Sequence, residues 1–213
     1  MRIDQALVER NLCESRKEAQ ECIDQGFVFL DGIVVRKRTT QVDSTKEITV
    51  TQTRKFVSRG GDKLEGALKH VYGELELAAK ILKGKIALDI GSSTGGFTDC
   101  LLSYGIESVT AVDVGTSQLH IKLRNDKRVT VLENTDIRNF NTDQAFDVIV
   151  ADLSFISLEK ILDTILFFGK TDSIFFILLK PQFEVGKGNT KKGIVKDIAL
   201  IKEITEKYHA LLQ

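Results

Sequence analysis

Four aspartates, Asp89, Asp113, Asp136 and Asp152, each follow a short apolar run, three directly and Asp136 a few residues on. A single aspartate in such a place is most often a turn or helix N-cap residue. Four of them at successive strand ends mark a ligand site instead, because ligands of a parallel sheet sit beyond the carboxyl ends of its strands. The first opens a glycine loop, Asp89-Ile-Gly91-Ser-Ser-Thr-Gly95-Gly96-Phe97. A dinucleotide loop requires glycine at 91, 93 and 96, and Ser93 removes the middle one that admits a pyrophosphate. A triphosphate loop requires Lys where Phe97 stands, so a triphosphate has no counter-charge here. What is left is a tight turn where a small ligand meets backbone, with an aromatic beside it and acids suited to hydroxyl and amine groups. That combination fits S-adenosylmethionine, which carries a sulfonium and a ribose diol, with Asp113 placed to accept from the diol.

The elements that must position these residues follow from periodicity. Apolar runs at Lys85–Ile90, Ser108–Val112, Arg128–Leu132, Phe146–Ala151 and Ser173–Leu179 predict five strands. Helical spacing alternates with them near Leu64–Tyr72, Thr98–Tyr104, Ser117–Leu123, Leu158–Phe168 and Asp197–Leu212. Alternation of this kind predicts an α/β domain with a parallel sheet covered on both faces. Lys180 precedes Pro181, the only proline, which biases it to an extended backbone and ends its strand. From Phe183 to Lys196 the text is rich in Gly and Lys without apolar period, and is expected to be a loop over the strand ends, its lysines Lys187, Lys191, Lys192 and Lys196 available to phosphates. His70, His120 and His209 have no partner at ligand spacing, so no metal is expected.

The chain has 213 residues, 42% of them hydrophobic, room for one full core and a smaller module. Its 30 basic and 30 acidic residues balance, so a nucleic acid must be held by a local patch. Cys13, Cys22 and Cys100 form neither a disulfide framework nor a zinc pattern and are expected to be reduced and mostly buried. No apolar run reaches the roughly 20 residues of a membrane span, and a cytoplasmic protein is expected. Before residue 58 the order is helix, helix, hairpin, strand. Ser15-Arg16-Lys17-Glu18 is a capping box opening a helix that Gly26 ends; a shorter helix starts near Asp4. Asp31-Gly32 is a two-residue hairpin turn, and a further strand is expected near Glu47–Thr51. Arg16 and Lys17 lie in a first helical turn, where the dipole disfavours cations, which hints at a phosphate partner. Thr51–Lys63 is polar and glycine-bearing and predicts a linker, giving domains at 1–57 and 58–213.

Arg2-Ile3-Asp4, Leu7-Val8, Ser15-Arg16, Ala19, Ile23, Gly26, Val28 and Gly32 resemble the RNA-binding domain first seen in small-subunit ribosomal protein S-four. The resemblance implies contact with structured RNA through Arg2, Arg16 and Lys17. Ser58-Arg-Gly-Gly-Asp-Lys63-Leu, the Asp89–Asp99 loop, Val112-Asp-Val-Gly, Ala151-Asp-Leu-Ser-Phe-Ile-Ser157 and Leu179-Lys-Pro-Gln-Phe-Glu184 resemble the TlyA family over essentially the whole chain. That family, long labelled hemolysin A, joins the small α+β RNA-binding domain to a Rossmann-like, class I methyltransferase domain of the FtsJ ribose 2′-O type. The resemblance implies methylation of the cytidine 2′-hydroxyl in ribosomal RNA, with ribosomal RNA or ribosomal subunits as partners. It implies Lys63, Asp152 and Lys180 as the catalytic residues and Gly91, Gly95, Phe97, Asp113 and Asp136, beside Asp89, as the cofactor's contacts. The family's fourth catalytic group, a glutamate, and two further strands are expected beyond Gln213, so the sheet is expected to be C-terminally incomplete.

In such a reaction a hydroxyl must lose its proton while held about 3 to 3.5 Å from the methyl carbon. A lysine amine with a reference pKa of about 10.4 serves as base only if its ammonium is disfavoured by roughly 4 kcal/mol, which like charges and desolvation supply. On this reading Lys180 accepts the proton, Lys63 is the neighbouring cation and Asp152 orients Lys180. Two other functions are considered: an RNA-binding protein on a non-catalytic methyltransferase scaffold, and a pore-forming hemolysin. The second requires a membrane-inserting amphipathic segment, and the sequence offers none.

Overall fold

The computed structural model describes residues 1–13, 15–51, 55–186, 188–190 and 193–211. Residues 52–54 of the predicted linker, Lys187, Lys191 and Lys192 of the predicted loop, and Leu212 lie outside them. The chain divides into two compact units, Met1–Lys55 and Phe56–Gln213.

The first unit contains α1 (Ile3–Glu9), α2 (Arg16–Gln25) and a three-stranded antiparallel sheet of β1 (Val28–Leu30), β2 (Ile33–Val34) and β3 (Ile48–Val50), with β1 in the middle. Ser15 Oγ accepts the Glu18 N–H at 3.2 Å, and Gly26, at φ 78°, supplies the left-handed cap that stops α2. Asp31 and Gly32 both take positive φ, as a two-residue hairpin turn demands. Ile3, Leu7, Ala19, Ile23 and Val28 close the core between helices and sheet.

The second unit is a five-stranded parallel sheet in the order β6-β5-β4-β7-β8. Its strands are β4 (Ile86–Ile90), β5 (Ser108–Val112), β6 (Val129–Leu132), β7 (Phe146–Ala151) and β8 (Gly169–Ile177). Alternate residues serve opposite faces. Ala87, Val109, Ala111, Val148 and Val150 pack under α3 (Arg59–Tyr72), α4 (Leu75–Leu82) and α5 (Gly96–Ser103). Leu88, Ile90, Val112, Ile149 and Ala151 pack under α7 (Leu162–Phe167) and α9 (Ile198–Leu211). Strand order reverses between β4 and β7, so the crevice where such sheets bind ligands lies between Asp89 and Asp152.

Several elements differ from the sequence expectation. The glycine-bearing text at 58–63 is helical: Ser58 Oγ caps α3 by accepting the Gly60 N–H, and a Cβ on Gly61 would lie 2.4 Å from the buried Phe56 ring. These glycines serve close packing, not linker flexibility. The helix expected over Ser117–Leu123 shrinks to α6 (Ile121–Arg124), because Glu133 takes the N–H groups of Ser117, Gln118 and Leu119 and holds them as a loop. The stretch Leu158–Phe168 is a 3-10 turn (Leu158–Lys160) followed by α7. Strand β8 begins at Gly169 and ends before Leu178, and the loop expected from Phe183 starts later, since α8 (Pro181–Glu184) forms a helical turn with proline at its first position. Helix α4 was not foreseen. No helix among the described residues is long and apolar enough to cross a membrane.

Candidate active site

The loop after β4 is fixed from below and from the side. Gly91 N and Ser92 N both donate to Val112 O, at 2.8 and 3.2 Å, which lays the loop across the end of β5. Gly91 has φ 78°, and a Cβ there would meet the Asp152 carbonyl oxygen at 3.1 Å. Its bare Cα is therefore what lets the glycine loop lie against the backbone of Asp152. Gly95, at φ 92°, is the N-cap of α5, and a Cβ on it would strike Leu123 at 2.2 Å. Phe97 is buried behind the loop.

Asp89 is buried completely. Its Oδ2 accepts from Thr98 N at 3.0 Å and Thr98 Oγ1 at 2.6 Å, while its Oδ1 has no partner. Burial pushes this carboxyl up to about 7, against the pull of the two Thr98 hydrogen bonds. Asp113 is also buried, and each of its oxygens accepts one backbone N–H: Oδ2 from Ser93 and Oδ1 from Gly115, both at 2.7 Å. The carboxylate thus joins the loops after β4 and β5 and keeps lone pairs for a ligand. Asp136 caps the 3-10 turn Ile137–Asn139 and pairs with Arg138, whose hydrogen bond pulls its carboxyl down to about 2.

Lys63, Asp152 and Lys180 come from α3, the loop after β7 and the N-cap of α8, and meet at one point. Lys63 Nζ is 3.4 Å from Asp152 Oδ2, and Lys180 Nζ is 2.5 Å from Asp152 Oδ1. The second contact is an ion pair without the angles of a directed hydrogen bond, for Oδ1 makes none. Lys180 Nζ also donates to Ser154 Oγ at 2.8 Å. Lys180 has the extended backbone that Pro181 imposes, at φ −115° and ψ 95°. One carboxylate between two lysine amines brings together a group that can take a proton from a hydroxyl, once it is the neutral amine, and a cation that can steady the oxygen left behind.

Four nearby residues went unnoticed as functional in the sequence. Glu133 accepts from three backbone N–H groups and from Arg124, whose hydrogen bond draws its carboxyl down to about 2, and so shapes the loop after Asp113. Ser154 holds Lys180. Phe155 is 91% exposed, sits at φ 66° and leans on the Phe183 ring at 5.4 Å. Glu184 accepts from Ser157, Leu158 and Tyr208. Ser154, Phe155 and Glu184 lie inside motifs already singled out, which was the available signal; Glu133 had none.

In the first unit, Arg2 and Arg16 converge on Asp4. Its buried carboxylate accepts from Arg2 Nε at 3.0 Å, Arg16 Nη2 at 2.9 Å and Gln20 Nε2 at 2.9 Å. Burial alone would raise the Asp4 carboxyl, but the hydrogen bonds from Gln20, Arg16 and Arg2 outweigh it and hold it well below the usual carboxylate range. Lys17 is exposed on the same first turn of α2.

Comparison with known proteins gives the same two-part division. The sequence pattern of FtsJ-like methyltransferases matches residues 56–213, and that of the S4 domain matches residues 1–48. The "16S/23S rRNA (cytidine-2'-O)-methyltransferase TlyA" of Mycobacterium tuberculosis is 44% identical over 197 residues, covering 90% of this chain and 71% of that protein. "Hemolysin A" of Brachyspira hyodysenteriae is 42% identical over 211 residues, covering 96% of this chain and 84% of that one. Among solved structures, one described as a hemolysin from Streptococcus thermophilus superposes with a TM-score of 0.71 at 33% identity, covering 99% of this chain and 77% of that chain.

Proposed function

The chain belongs to the TlyA family of FtsJ-like methyltransferases, and from that premise we propose that it methylates the 2′-hydroxyl of cytidine in cytoplasmic ribosomal RNA, with the S4 unit gripping the RNA. The residues at the sheet's crevice fit S-adenosylmethionine. Asp89 offers a buried oxygen without a partner, the loop from Asp89 to Phe97 carries no cation for a phosphate, and the glycines leave backbone open to close approach. Asp89, Gly91, Gly95, Phe97, Asp113 and Asp136 are the residues that would hold it. Bound there, it supplies an electrophilic methyl group on a sulfonium.

The observation that carries the reading is the seating of Asp152 between Lys63 and Lys180. Asp152 and Ser154 take two directions around Lys180 Nζ, leaving one for the substrate hydroxyl. Lys180 accepts that hydroxyl's proton, and Lys63, half-exposed across Asp152, steadies the negative charge that develops on the ribose oxygen. Arg2 and Arg16, pinned by Asp4, and Lys17 beside them present cations to RNA phosphates. Whole ribosomal subunits are the proposed partners.

The test is Lys180→Ala and Asp152→Asn on the full chain, with methyl transfer to ribosomal RNA and calorimetric S-adenosylmethionine binding measured on the same preparations. Loss of transfer with cofactor affinity retained is expected. Wild-type turnover by Lys180→Ala removes that residue from the mechanism. Absence of cofactor binding in the wild-type chain turns the reading to an RNA-binding protein on a methyltransferase scaffold.

A further inference from the structure

The contact between Asp152 and Lys180 joins two segments, residues 152–158 after β7 and 178–184 after β8. Between them lies a small recess, with room for about one water molecule, whose lining includes Leu153, Ile156, Leu158 and Leu178 together with Lys180 and Glu184. Leu153, Ile156 and Leu158 from the first segment, and Ile177 at the end of β8, belong to or pack on the core under the sheet, and polar contacts at the far end tie one segment to the other. Glu184 Oε2 accepts from Ser157 Oγ at 2.7 Å and from Tyr208 Oη at 2.6 Å, and Glu184 Oε1 accepts from Leu158 N at 2.8 Å. Tyr208, buried on α9, is itself fixed by accepting the Glu159 N–H at 2.9 Å.

Lys180 and Glu184 stand at the two ends of one helical turn, stiffened by Phe183 N donating to Lys180 O and Val185 N to Pro181 O. Asp152 and Ser154 begin the opposing segment that Ser157 and Leu158 end. A shift of the Glu184 carboxylate therefore moves the Lys180 backbone relative to Asp152 and Ser154. Resting on the catalytic roles proposed above, we propose that Glu184 is a positioning residue for methyl transfer: bridged to Ser157, Leu158 and Tyr208, it holds the two segments at the spacing that sets Lys180 Nζ against Asp152. A carboxylate suits the place because all three partners donate, and an amide would turn one of its own N–H groups toward a donor.

The test uses the full chain carrying Glu184→Gln, Glu184→Ala or Tyr208→Phe, with Lys180→Ala as the control, each assayed for methyl transfer to ribosomal RNA, calorimetric S-adenosylmethionine affinity and melting temperature. Rates are scaled to the folded fraction. Misplacement of a catalytic group by an ångström lowers rates on the order of a hundredfold. The expected result is a fall in kcat on the order of tenfold or more for Tyr208→Phe and Glu184→Gln, and a larger one for Glu184→Ala, with the KM for RNA and the cofactor affinity within about twofold of wild type. Tyr208→Phe keeps the test open should the Glu184 variants not fold. A lowered melting temperature with wild-type kcat in Tyr208→Phe and Glu184→Gln means the network only ties α9 to the sheet, and overturns the proposal while an inactive Lys180→Ala leaves the catalytic assignment standing. Wild-type turnover by Lys180→Ala overturns that assignment and this inference with it.

Discussion

Replacing Asp89 with Asn removes a charge that the fold does not solvate. The carboxyl is wholly buried, one oxygen serves Thr98 twice, the other serves nothing, and its protonation point has moved from 3.8 to about 7. A raised carboxyl favours the protonated form in the folded state, so the stability linked to it is fully present below pH 3.8 and is lost as pH rises through about 7. The displacement corresponds to about 4 kcal/mol once the group is fully ionised. Between pH 5 and pH 8, Asp89 alone should cost the wild-type chain roughly 3 kcal/mol. Asn keeps an acceptor for both Thr98 groups and has nothing to ionise. Urea unfolding at pH 5, 6, 7 and 8 measures the difference, with the stability of the second unit read from its own transition. Asp89→Asn is expected to gain on the wild type steadily as pH rises. Parallel pH profiles for the two proteins would refute the claim that Asp89 carries a buried charge at the heart of the site.

Gly95→Ala forces a side chain at φ 92° and places its Cβ 2.2 Å from Leu123 and 2.8 Å from Leu119. Positive-φ strain and overpacking together should cost about 2 to 4 kcal/mol in urea unfolding, and an unchanged midpoint would show that α5 and α6 are free to separate. Asp4→Asn leaves Arg2 and Arg16 without their shared anion. Ribosomal RNA binding, measured by filter retention across a salt series, should weaken on the order of tenfold with its salt dependence intact, since the phosphate-facing cations remain but are no longer held in place. Because the Asp4 carboxyl is held low, the first unit should also lose stability as pH falls below 3.8; in Asp4→Asn this acid-linked loss should be smaller.

The parts of the site legible in the sequence share one property: their structural demand falls on the residue itself. Gly91 and Gly95 stand where positive φ and crowding leave no room for a Cβ, and Pro181 dictates the backbone of Lys180, so each position announces its constraint. The central strands β4, β5 and β7 were legible for the same reason, since a strand buried on both faces must be apolar along most of its length. Lys63 gave no such local sign. It lies 89 residues from Asp152 in the chain, and only its motif set it apart from other surface lysines.

What stayed hidden is set by a remote acceptor. Ser117, Gln118 and Leu119 have helical spacing, and nothing near them says that Glu133 will take their N–H groups; a carboxylate fourteen to sixteen residues away decides between helix and loop. Glu184 acts in the same way on Ser157 and Leu158, and Asp4 on Arg16 and Gln20. In each case an acid gathers donors from a distant segment, and nothing in the neighbouring sequence names those partners. Acids whose partners are non-local therefore fix loop geometry that local sequence does not, and their replacement should perturb the structure more than their own position in the chain suggests.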